Sequence, residues 1–316
     1  MTPTVPPAGS APPGLLARWW TTWDRWWLAP LPMVSLGLLR LVAFATLLWY
    51  LGSEYAWVVR LETVDPWFYR PILVFHLLGV GPIPEGLAAA LRPALVVCAI
   101  LGLLGIFARC CAALCGLAYL YSIGQVYSFT NVHHGDGLLG LVLLVLALSP
   151  CGATLAVPTP WSRSRRADWR RESTGAGWPI RFVRVQIAMV YFLAGYAKLV
   201  LSGPIWMDGT SLQHYLILRG QPIGYWLASQ PLLCAALSAT TFLWELTFPL
   251  VLFWPRLRWA YVPTAIVFHL VSQHALGVGF MYFWPFLLVY IDPGPLVRWW
   301  QARGIRLAPG PRPSVS

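Results

Sequence analysis

Lys198 is the only lysine in the chain; the other 21 of the 22 Lys and Arg residues are arginine. It closes the run Tyr191-Phe-Leu-Ala-Gly-Tyr-Ala-Lys198-Leu, near the end of an apolar stretch from about Arg181 to Leu201 that is long enough to cross a bilayer. A charged lysine at the centre of a membrane helix costs roughly 2.5–3.5 kcal/mol by insertion scales. When desolvated, lysine can give up its proton, whereas arginine stays protonated. Lysine is therefore the side chain here that can serve as a proton acceptor. A lysine snorkelling to the interface from the helix end is the competing reading, and position alone does not separate the two.

Other chemistry-bearing residues gather around the same helix end. Asn131, His133, His134 and Asp136 mark the turn between two apolar runs. Trp206 and Asp208 follow the lysine-bearing stretch, and His269, Gln273 and His274 lie in a later one. Taken singly, each histidine reads as an interfacial or satisfied side chain. Their convergence with the sole lysine is the stronger signal. The candidate binding residues are thus His269, His133, Asn131, Trp206, Asp208 and Tyr191, which stands two turns below Lys198. Ala194 and Gly195, one turn below, leave room for a ligand or a neighbouring helix.

The elements that must position these residues follow from composition. The chain is 58% hydrophobic and 10% charged, with a mean hydropathy of +0.63. That excludes an ordinary soluble domain. The apolar runs show no period-two alternation, so the expected fold is an all-α polytopic helical bundle in a membrane, with no sizeable soluble domain. The net charge of +11 then reads as topology and not as nucleic-acid binding. Nineteen tryptophans suit interfacial belts. The six cysteines show no CxxC and no Cys/His pair at zinc spacing, so they read as small buried hydrophobes and no metal is expected.

Residues 1–14 read as a disordered, Pro-rich tail without signal-peptide character, and 15–28 as an amphipathic interfacial helix. The transmembrane domain is expected over 33–293, and a basic, Pro-rich cytoplasmic tail over 294–316. Eight spans are expected: about 33–52, 93–108, 111–129, 137–157, 181–201, 231–254, 259–276 and 278–291. The apolar piece 72–80 is too short to cross. With a cytoplasmic N-terminus this map puts sixteen arginines inside and four outside, which fixes both termini as cytoplasmic. A bacterial plasma membrane is the expected location.

Depths follow from helix rise. Lys198 falls about 5 Å below the outer end of its span, and Glu245 roughly 21 Å below the outer end of the next. Arg40 and Glu245 come at similar depths, about 10 and 14 Å from the inner side. The expectation is an Arg40–Glu245 ion pair as a structural staple, leaving Lys198 without a counter-ion and free to act as a base.

Several stretches together resemble a known family. Gln186-Ile-Ala-Met-Val-Tyr-Phe-Leu-Ala-Gly-Tyr-Ala-Lys198-Leu with Trp206 and Gly209 is similar to the signature of the HTTM family, the transmembrane domain shared with vitamin K-dependent γ-carboxylase. Arg40 in the first span, Asn131-Val-His-His134 before Leu148-Ser-Pro-Cys, and Trp244-Glu245-Leu-Thr-Phe-Pro followed by Arg256 and His269 agree in order. The resemblance implies quinol-dependent epoxidase and carboxylase chemistry, with Lys198 as the base, His134 as a second catalytic residue and a reduced naphthoquinone, a vitamin K-like quinol, as cofactor. Membrane lipid and a protein supplying the substrate are the implied partners. Gly135, Asp136 and Gly137 depart from the carboxylase, which has a hydroxyl and aromatics there. Only 25 residues follow Ile291, so the carboxylase's propeptide-binding domain is not expected. The alternative class is a non-catalytic lipid or quinone binder, or an assembly partner. A transporter is disfavoured by the absence of an internal repeat.

Overall fold

The structure, a computed structural model, describes residues 14–130, 135–159, 171–280, 282–295, 299 and 302–303. Helix α1 spans Leu15–Leu28, and a two-residue strand, Leu31–Pro32, pairs antiparallel with Glu172–Ser173. This short ladder ties the start of α2 (Met33–Ser53) to the start of α8 (Thr174–Ser202). Between them come α3 (Tyr55–Leu61), α4 (Leu73–Leu78), α5 (Leu87–Leu104), α6 (Ala108–Phe129) and α7 (Gly137–Leu148). After α8 the chain makes a 3-10 segment, Gly203–Asp208, then α9 (Thr210–Arg219), α10 (Pro222–Ala228), α11 (Pro231–Thr247), α12 (Leu250–Phe253) and α13 (Arg258–Leu276).

This is an all-α membrane protein. Among the described residues, four helical runs are long and apolar enough to cross a bilayer: Met33–Ser53, Leu87–Leu104, Ala108–Phe129 and Thr174–Asp208. Helices α10 and α11 meet the same measure only when taken together, across a bend of 100°. Three expected spans are not among these: 259–276 is helical as α13 but falls short in apolar character, and two others take another form. Helix α7 has 12 residues and stops at Leu148, where the expectation ran on to 157. The cause is Ser149-Pro150: proline lacks the N–H and disfavours helical geometry in the residue before it. The expected last span, 278–291, is a 3-10 segment, Trp284–Tyr290, of seven residues. At about 2.0 Å per residue it covers roughly 14 Å. Gly277, Gly279 and Pro285 interrupt any longer helix there.

The central element is α2, which packs on α5, α7, α8 and the 284–290 segment. Leu36, Phe44, Leu47, Leu139, Leu143, Phe248 and Phe286 form the middle of the main core, each 1% exposed or less. A smaller cluster, Leu216, Leu227, Cys234 and Ala275, lies under the α9–α10 hairpin. The described cysteines are all free; four are buried, Cys98 is half-buried and Cys110 is exposed.

Arg40 is fully buried on α2 and is not paired with Glu245, contrary to the expectation. Its guanidinium donates to the carbonyls of Cys151 at 3.0 Å, Thr154 at 3.1 Å and Leu155 at 2.6 Å. These carbonyls belong to the irregular chain released when α7 stops early. Non-helical backbone is tolerated among apolar helices only where its polar groups are satisfied. Arg40 supplies those donors with one planar fork. Gly105, at the end of α5, makes room, since a Cβ there would lie 2.7 Å from the Arg40 guanidinium.

Candidate functional site

Lys198 Nζ forms an ion pair with the Glu245 carboxylate, and its ammonium stands 5.4 Å from the centre of the Trp206 ring. The pair joins the end of α8 to the last turn of α11. The helices run antiparallel: Tyr191 packs on Phe248, Gly195 on Glu245 and Leu246, and Gly209 on Cys234 and Ala235. Continuing that register, the end of α8 at Ser202 faces roughly residue 239, so the first eight or so residues of α11 project about 12 Å beyond it. The 3-10 segment and α9 pack against that overhang. This offset corrects the depth estimate, which started both helices from one plane. The glutamate in the last turn of α11 therefore meets the lysine near the end of α8.

Gly195 is what lets the two helices come together. A Cβ there would sit 3.0 Å from the Leu246 backbone nitrogen and 3.1 Å from the Glu245 Cβ. The small residues below Lys198 thus accommodate a neighbouring helix, one of the two roles their size allows.

Lys198 lines a cavity of about 410 Å³ between α9, α10, α11 and α13. Trp206, Trp244, Phe268 and Phe280 contribute aromatic wall, and Leu212, Leu216, Leu227 and Val271 contribute aliphatic wall. Ser238, Thr240, Thr241, Thr264 and Ser272 add hydroxyls, and Lys198 is the one charged residue among the described lining. The arrangement suits a mostly apolar ligand with a polar group directed at the ammonium.

Beside the cavity is a second polar pair. The Tyr191 hydroxyl and His269 Nε2 are hydrogen-bonded at 2.8 Å. His269 is 5% exposed, and its Nδ1 has no partner among the described residues. Its ring packs on Phe280 at 4.9 Å and Phe283 at 5.7 Å, while Tyr191 is stacked on Phe248 at 4.3 Å. Neither Tyr191 nor His269 lines the cavity, but Phe268 and Phe280, both against His269, do.

The family model described as the HTTM domain matches residues 29–291, most of the chain. The protein belongs to the HTTM family. Comparison with curated proteins and with solved structures gives no match.

In this HTTM domain the site residues expected from sequence divide into three groups. Lys198 and Trp206 are together at the cavity, with Tyr191 and His269 adjoining it. Asp208 is elsewhere: its carboxylate accepts from the Thr210 N–H at 2.7 Å in the turn that leads into α9. His274 is exposed and bonded to the Leu270 carbonyl at 2.8 Å. Asn131, His133 and His134 lie outside the described residues. A Cβ on the next residue, Gly135, would lie 3.9 Å from Phe283 and 4.0 Å from Phe280, the rings that flank His269. Sequence reasoning missed Glu245 as the lysine's partner and missed the polar stripe of α11. The available signal was spacing: Ser238, Thr241 and Glu245 follow one another at three and four residues and share one helix face.

Proposed function

We propose that this HTTM-family protein binds an apolar ligand with an ionisable hydroxyl in the cavity at Lys198, and that Lys198 and Glu245 together accept its proton. A reduced naphthoquinone of the vitamin K type is the ligand class this reading favours. The observation that carries it is the placement of the sole lysine, backed by a carboxylate, on an otherwise apolar wall. Trp206 and Trp244 would hold a flat ring, and the aliphatic wall a hydrocarbon tail. Bound there, a quinol supplies an acidic hydroxyl and two reducing electrons.

The residues' part is proton transfer. Lys198 passes its proton to the Glu245 carboxylate and becomes a neutral amine. That amine takes the proton of the ligand hydroxyl, whose bonding electrons stay on the ligand oxygen. The net result is one proton on Glu245 and an ammonium facing the oxygen it deprotonated. Arginine in place of Lys198 keeps the cation but cannot make the first transfer. The arginine asymmetry supports an even number of crossings with both termini cytoplasmic, and hence a site near the outer face.

A second reading also has an observation in its favour. Glu245 already neutralises Lys198, and Trp206 covers it, as in a purely structural pair. On that reading the protein is a non-catalytic lipid or quinone binder, or an assembly partner. The deciding experiment identifies the molecule co-purified with the protein by mass spectrometry, then follows quinol oxidation in nanodiscs. Loss of turnover in Lys198→Arg with the ligand retained supports the base. Wild-type turnover in that variant rejects it, and a bound ligand with no wild-type turnover selects the binder.

A further inference from the structure

A second cavity, of about 320 Å³, lies at the other end of α8, between α2 and the chain around 285–293. Arg184, which lines it, is fourteen residues from Lys198, roughly 21 Å along the helix. The walls from α2 are Ser35, Leu38, Leu39 and Val42, and those opposite include Phe286 and Leu288. Arg184 Nε donates to the Val289 carbonyl at 2.8 Å, and its guanidinium lies 5.9 Å from the centre of the Tyr290 ring. Its two terminal nitrogens have no hydrogen-bond acceptor among the described residues.

The charges around this guanidinium are mostly like-signed. Arg181 and Arg258 act on it as cations, and Asp292 is the one nearby carboxylate among the described residues. Arg181 is engaged by the Ala29 carbonyl at 2.5 Å, and Arg258 Nε is buried without a partner among the described residues. Asp292 also lines the cavity, but one of its oxygens accepts from the Gly294 N–H at 2.9 Å. Three arginines against one half-occupied carboxylate leave a positive site on the wall of an apolar slot. Arginine's planar fork matches two oxygens of a phosphate.

We propose that this cavity holds one anionic phospholipid, its phosphodiester on the free face of the Arg184 guanidinium and an acyl chain along Leu38, Val42 and Phe286. The apolar walls argue for a lipid over a free phosphate, because an inorganic anion would leave them uncovered. Charge argues against the chain's own C-terminal residues as occupant, since these carry Arg298, Arg303, Arg306 and Arg312.

The test is a native mass-spectrometric titration of the full chain in neutral detergent with phosphatidylglycerol and, separately, phosphatidylcholine. The wild type should hold one phosphatidylglycerol in preference to phosphatidylcholine, and Arg184→Gln should weaken that binding about tenfold or more. Val42→Phe fills the slot without touching a charge, and it should weaken binding to a similar degree. Val42→Phe also carries the test if Arg184→Gln does not purify folded. Equal binding of the two lipids, or wild-type binding by a folded variant, overturns the proposal. Displacement of the lipid by an equal concentration of inorganic phosphate overturns it as well, because the acyl chain would then contribute nothing.

Discussion

Gly195 lies against the backbone of Leu246, where a Cβ would come within 3.0 Å of the amide nitrogen. That approach sets the α8–α11 spacing and brings Lys198 to Glu245. Gly195→Val should therefore push the helices apart, because the obstacle is backbone and cannot rotate away. Overpacking of this kind costs about 1–3 kcal/mol. Thermal unfolding of the purified protein should show a lower midpoint, while Gly195→Ala should have a smaller effect of the same sign. An unchanged midpoint in the Val variant would mean that α8 and α11 do not approach so closely.

The Lys198–Glu245 pair predicts strong coupling. Glu245 is buried and the lysine side chain is only one-fifth exposed, so removing one partner strands the other's charge. Each single change, Lys198→Met or Glu245→Leu, should destabilise by about 3–5 kcal/mol, and the double change should recover much of that. A double-mutant cycle read by unfolding measures it, and additive losses would show that the two charges do not interact.

Arg40 should behave as an independent unit. Arg40→Leu leaves the carbonyls of Cys151, Thr154 and Leu155 without their donor, at roughly 1–3 kcal/mol for each group left unsatisfied. Arg40→Lys should rescue only part, because one ammonium cannot reproduce the fork. Combined with Glu245→Leu, the losses should add to within about 0.5 kcal/mol. A large coupling between positions 40 and 245 would restore the staple expected from depth alone.

Where sequence and structure part is instructive at these same residues. Hydropathy made the membrane class legible, and the motif around Lys198 made the family legible, because both are local properties of the chain. Helix rise gives depth only when the starting plane is known. The eight-residue overhang of α11 beyond α8 comes from tertiary packing of α9 and α10, which no single helix encodes. Arg40 was placed correctly as buried but given the wrong partner. Backbone carbonyls exposed by the early stop at Ser149-Pro150 leave no trace in composition, although the proline itself marked the stop.

The orientation argument predicts opposite sides for the two ends of α8. Single cysteines at Arg171 and Asp208, in a background without the six native ones, should label with an impermeant reagent from opposite faces of the membrane. Labelling of both from the same face would remove the arginine argument for an outer site.

Binding and chemistry at the cavity should separate by mutation. Thr241 lines the cavity on α11, on the same face as Glu245, and Thr241→Trp would fill much of the space without removing the ion pair. The ligand should then be excluded, so its co-purification is lost and any quinol turnover falls through a raised KM. Lys198→Met leaves the cavity open and removes the proton acceptor. That variant should still retain the ligand, with kcat reduced by about 10²–10⁴-fold, the usual contribution of a positioned base. The two variants must therefore fail differently, one in binding and the other in turnover. If Thr241→Trp keeps both its ligand and its turnover, the molecule binds elsewhere. Lys198 would then be a structural cation paired to Glu245 and not the centre of a site.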